Sequence, residues 1–136
     1  MKRLVAFFLF LAVALSVSAC TTRNRTDVTR ERIVEAYKEA GYEVWSREYD
    51  EPLDHGQIAY VQADHPDGNY IYFSIFATEA EAKAYKKEFY HPGMMGLFSL
   101  IFGDPSWQRW EVHGCIVVQY DEPDYFVPFD KLLKGK

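Results

Sequence analysis

Apolar and polar positions alternate along this chain in two distinct periods, and a long apolar run with neither period precedes them. Ile33, Val34, Tyr37 and Ala40 recur at helical spacing. Asp27 or Thr29 can cap this helix, and Gly41 stops it as a glycine just past a helix end does. Three strands follow, Tyr42–Tyr49, Gln57–Ala63 and Tyr70–Ala77. Asp54-His55-Gly56 and Pro66-Asp67-Gly68-Asn69 supply the turns between them. In the third strand Ile71, Phe73 and Ile75 share one face, and Tyr70, Tyr72 and Phe76 share the other. A strand apolar on both faces belongs in the middle of a sheet, or has an aromatic outer face.

Thr78-Glu79-Ala80-Glu81 reads as a capping box and starts a second helix, packed through Ala82, Tyr85 and Phe89 and ended by Pro92-Gly93. Trp107–Val112 and Cys115–Tyr120 flank His113-Gly114 and form a hairpin. Pro128 opens a last helical turn holding Phe129, Leu132 and Leu133. The order α-β-β-β-α-β-β-α predicts an α+β fold. It has a mainly antiparallel sheet of about five strands, with the helices packed on one face.

The opening run changes the picture of location. Lys2 and Arg3 form a basic head, and Leu4–Ala19 adds 16 residues without a charge. A spanning helix needs about 20. Val17-Ser18-Ala19-Cys20 resembles the lipobox of bacterial lipoproteins, cut just before the cysteine. That resemblance implies a diacylglyceryl thioether on Cys20 and, because Thr21 follows it, the outer membrane of a two-membrane cell. In a one-membrane cell it implies the outer face of the only membrane. Residues 1–19 then form a signal peptide, 20–27 a lipidated tether and 28–136 a single domain. Phe76-Ala77-Thr78-Glu79-Ala80-Glu81-Ala82 is also similar to the strand-to-helix joint of small α+β ligand-binding domains, peptidoglycan-binding sporulation-related repeats among them. The additional strands here depart from that repeat.

Charge narrows the partners. The ends, Cys20–Arg32 and Asp130–Lys136, each carry a net +2, whereas the body from Ile33 to Phe129 carries 6 basic and 17 acidic residues. Such a body repels phosphates and argues against nucleic acid. With Cys20 acylated, no disulfide within the chain is open to Cys115, which reads as a small buried hydrophobe opening a strand.

Little in the sequence has the spacing of catalysis. His55 and His65 lie at opposite ends of one strand, about 30 Å apart at ~3.3 Å per residue, and read as solvent-exposed turn residues. No pair has metal-ligand spacing, and no nucleophile elbow or phosphate loop is present. No catalytic residue, metal or cofactor is assigned.

Aromatic and apolar surface remains. Residues 20–136 hold 10 Tyr, 7 Phe and 3 Trp, so some rings lie outside the core. Tyr60, Tyr70 and Tyr72, with Trp45 nearby, form a candidate binding stripe on the sheet face away from the helices. The uncharged run Met94–Phe102 is either core or contact surface, with Phe98 on the core side and Met94 and Met95 at the exposed end. The expected function is a membrane-anchored, non-enzymatic lipoprotein domain that binds a protein, a peptide or a cell-wall ligand. The alternative is an enzyme or enzyme accessory using an acidic cleft.

Overall fold

The computed structural model describes residues 28–91 and 109–135. Cys20, Met94, Met95 and Phe98 lie outside them. Helix α1 is Arg30–Glu39, and strands β1 Glu43–Glu48, β2 Gln57–Asp64 and β3 Tyr70–Phe76 follow. Helix α2 is Glu79–Phe89, strands β4 and β5 are Arg109–His113 and Ile116–Tyr120, and helix α3 is Pro123–Leu133. All strand pairs are antiparallel, in the order β1-β2-β3-β5-β4. The fold is α+β with the element order read from the sequence, and β3 lies in the middle of the sheet.

The caps are local chemistry. Thr29 accepts from the Arg32 amide at the start of α1, and Gly41 leaves the helix at φ 88°, where a side chain is strained. At α2 the Thr78 hydroxyl accepts from Glu81 N at 3.2 Å, and the Glu81 carboxylate accepts from Thr78 N at 3.0 Å. This is the reciprocal box the sequence predicts.

The helices do not share one face, contrary to the sequence expectation. On one side α1 and α3 bury Ile33, Tyr37, Phe129 and Leu132 against Val61, Ile71, Phe73 and Val118. On the other, α2 packs Ala82 and Tyr85 against Phe76, Val117, Trp110 and Val112. The reason lies in β3 and β5. Phe73 pairs with Val118 facing one layer, Ser74 pairs with Val117 facing the other, and all four are fully buried. Two apolar faces require cover on both sides.

Two further expectations are corrected. The last helix starts at Pro123 rather than Pro128, and Pro128 lies inside it. An interior proline costs about 3 kcal/mol. Burial of Tyr125, Phe129 and Leu132, at roughly 1.5–3 kcal/mol for each large apolar side chain, offsets this. The Tyr37 hydroxyl, which donates to the Tyr125 carbonyl at 2.8 Å, adds a buried tie between α1 and α3. The hairpin loop is Gly114-Cys115, because His113 still pairs with Ile116 across the strands. Gly114 takes φ 58° at the first loop position, where the primed turns demand a left-handed residue. Cys115 is therefore a half-buried turn residue, and it is disulfide-bonded rather than a lone structural thiol.

Gly56 links the first hairpin to α2. It sits at φ +80°, and a Cβ there would lie 2.8 Å from the Glu81 carboxyl carbon. Gly56→Ala is expected to lower unfolding free energy by about 2 kcal/mol, combining a left-handed penalty of roughly 1–2 kcal/mol with partial loss of the cap. Urea denaturation of the single variants and the Gly56→Ala/Glu81→Ala pair checks this. The double variant should lose less than the sum of the two.

Candidate functional site

Strand register builds a row of side chains across the sheet on the α2 side. Trp45 on β1 pairs with Gln62 on β2, Gln62 with Tyr72 on β3, Tyr72 with Gln119 on β5, and Gln119 with Trp110 on β4. Partners in an antiparallel ladder point to the same face. A second row beside it runs Arg47, Tyr60, Ser74, Val117, Val112.

Among the described residues, helix α2 covers one end of this face. Its Tyr85 stacks on Trp110 at 6.0 Å, with Tyr90 on the same indole at 5.8 Å. The β1–β2 end lies open. Trp45 is 56% exposed, Arg47 is exposed, and Tyr60, Gln62, Tyr72 and Gln119 are half-buried. Tyr60 and Tyr72 stack with their ring planes 13° apart and centroids at 5.5 Å, and Tyr49 adds a third ring 6.3 Å from Tyr60. Burial raises the Tyr72 phenol above its ordinary pKa, and the Gln57 amide meets its hydroxyl. Burial likewise raises Tyr85.

The structure thus brings Trp45, Tyr60 and Tyr72 together on one open surface. Tyr70 lies on the same side of β3 and is 39% exposed, at the strand end that pairs with Asp64. Met94 and Met95 lie outside the described residues. Gln62, Gln119 and Trp110 join the row only through register, so hydrophobic patterning does not single them out. The signal that finds them is the count from each turn once the strand pairing is known.

The polar groups of this face are partly uncommitted. The Gln62 amide nitrogen donates to Asp64 Oδ1 at 2.8 Å, which leaves its carbonyl oxygen to accept. Among the described residues, neither the Gln119 amide nor the Tyr60 hydroxyl has a protein hydrogen-bond partner.

A second concavity, about 580 Å³, lies where the β2–β3 turn meets the start of α3, lined by Tyr42, His65, Asp67, Glu122, Asp124 and Tyr125 among others. Its centre is bonded shut. Asp67 accepts from the Tyr125 hydroxyl, pairs with His65 Nδ1 at 2.9 Å and accepts from Asn69 N at 2.9 Å. The Asn69 side chain donates to the same Tyr125 oxygen at 3.0 Å. The Tyr125 hydrogen bond, followed by that from Asn69 N, holds the Asp67 carboxyl down at about 2. A general acid requires the opposite shift. His65, a turn residue whose side chain is 37% exposed, also serves the clasp, packed 5.0 Å from Tyr42 and 5.3 Å from Tyr125.

A similar clasp sits at the far edge of the sheet. Tyr120 donates to Glu111, and the other Glu111 oxygen lies 2.9 Å from His113 Nε2. Burial first, then the Glu111 hydrogen bond, pushes the Tyr120 phenol up to about 12. His113 is directed to Glu111, not arranged as a base for Cys115. Among the described residues, no group of three His, Cys, Asp or Glu side chains is placed to hold a metal ion. No protein-family model, no curated protein and no solved structure matches this chain.

The Asp67 clasp has a pH signature. Its folded pKa lies below the ordinary 3.8, so its contribution is complete above about pH 4 and is lost as pH falls through about 2. Asp67→Asn should melt lower than the wild type at neutral pH, with the two curves converging as the pH approaches 2. Melting temperatures recorded from pH 7 to 2 check it; a constant gap down to pH 2 would remove the ionised clasp from the account.

Proposed function

We propose that this chain is a lipid-anchored, non-enzymatic domain of the cell envelope that holds a ligand or partner on the open sheet face around Trp45, Tyr60 and Tyr72. The observation that carries the reading is the uncovered aromatic row. An exposed indole beside stacked phenols is costly to leave in water and gives rigid contact area with polar tips. The basic head, the apolar run and Ser18-Ala19-Cys20 support export and acylation. The anchor in this reading is the lipid on Cys20; among the described residues no helix is long and apolar enough to cross a membrane. Two acyl chains suffice for stable attachment.

The disulfide at Cys115 fits an exported, oxidising compartment. It also sharpens the chemistry. The chain's other cysteine is Cys20, and a sulfur in a thioether cannot enter a disulfide. The two states exclude each other in one molecule: the acylated form of this reading carries Cys115 as a thiol, and a disulfide-bonded form carries no lipid on Cys20.

Two measurements test the proposal. Mass spectrometry of the native, unreduced protein should find an acylated peptide beginning at Cys20; a Cys20–Cys115 disulfide-linked peptide pair would remove the anchor. A benzophenone amino acid at position 45 should yield photo-adducts in the native host, whereas the same probe at Val127, exposed on α3, should not. Equal labelling at both positions would argue against the open face as the binding surface.

A further inference from the structure

Building on the binding-face reading, we infer that the ligand held there is an uncharged glycan, seated with one sugar on the Trp45 indole and its hydroxyls directed to Gln62, Gln119 and Tyr60. The chemistry of the row selects the class. A pyranose ring presents C–H groups on its faces and hydroxyls around its edge. It therefore matches a surface that offers an aromatic plane and amide groups side by side. Trp45 supplies the plane, with more than half its surface free. Gln62, one strand away, keeps a carbonyl acceptor. Gln119 keeps both amide donors and its acceptor, since no protein group within the described residues uses them. The Tyr60 hydroxyl is uncommitted in the same sense.

Spacing gives the size. Trp45 and Gln119 are three strands apart in one row, about 14 Å at ~4.8 Å per strand. One sugar cannot reach from one to the other, whereas a short oligosaccharide lying across the strands can. Tyr85 and Tyr90 close the far end by covering Trp110.

Other occupants fit less well. A lipid surface would strand the Gln62 and Gln119 amides away from water without partners, which is unfavourable for each. The fully buried core of a protein–protein contact is more apolar than the surface around it, whereas here ring and amide alternate from strand to strand. Charge points the same way. The four residues Trp45, Gln62, Tyr72 and Gln119 are neutral, the Arg47 guanidinium beside them lies over the Tyr49 ring, and the acidic body around them repels anionic polymers.

The test is calorimetric titration of the full-length protein in detergent micelles with chitotetraose and with cellotetraose. The wild type should bind at least one of these, and bind the matching monosaccharide at least tenfold more weakly. Trp45→Ala should weaken tetrasaccharide binding tenfold or more with an unchanged melting temperature. Gln119→Leu should weaken it several-fold, an effect that a purely apolar platform would not show. Binding that survives Trp45→Ala undiminished would overturn the inference. So would the absence of binding to either tetrasaccharide. If that absence comes with photo-adducts still formed from position 45, the glycan assignment falls and the binding face stands; if the adducts are absent too, both fall.

Discussion

Five strands spaced about 4.8 Å apart make a sheet about 19 Å across, and a helix with its side chains is about 10 Å wide. Two helices side by side can cover such a sheet, and one cannot. The division of helices between the faces therefore decides everything that remains exposed. Helices α1 and α3 together close one face over Phe73, Val118 and Phe129. Among the described residues, helix α2 serves the other, and it settles over β3, β5 and β4, where Phe76, Val117 and Trp110 need burial. No helix of the described residues lies over the β1–β2 end of that face. Trp45, Arg47 and Tyr60 are there because the sheet is wider than its cover.

Much of this was legible in the sequence, and the reasons are local. The Thr78–Glu81 box, the Gly41 stop and the Pro66–Asn69 turn depend on residues within a few positions of each other, and each appears where its chemistry demands. The alternation in β3 also located the central strand. The side on which each helix packs was not legible, because it depends on β5 supplying Val117 to one layer and Val118 to the other. Pro128 misled for a related reason: proline marks a helix start in isolation, but burial of the residues around it carried α3 through.

The candidate site divides in the same way. Trp45, Tyr60 and Tyr72 could be named from aromatic excess and strand period. Gln62 and Gln119 could not, since a glutamine in a strand carries no signal until its neighbours across the sheet are known. The clasps were hidden too. Asp67 reads as a turn residue, and only the fold brings Tyr125, 58 positions on, to its carboxylate. The Asp67 clasp joins the β2–β3 turn to α3 and the Glu111 clasp joins β4 to β5, both through groups whose bonds are already satisfied. The uncommitted polar groups collect instead on the open face, which is why chemistry is assigned to that surface rather than to the concavity beside His65.

The central claim is that one sheet face is covered by α2 over Phe76, Val117 and Trp110 and open around Trp45 and Tyr60. Solvent paramagnetic relaxation measured on the full-length protein in micelles, with a soluble gadolinium chelate, tests it directly. The account predicts strong relaxation of the Trp45 indole and the Tyr60 ring protons, weaker relaxation at Tyr72, and protection of Phe73, Phe76 and Phe129. Protection of Trp45 and Tyr60 equal to that of Phe76 would show the β1–β2 end to be covered, and would contradict the account at its foundation.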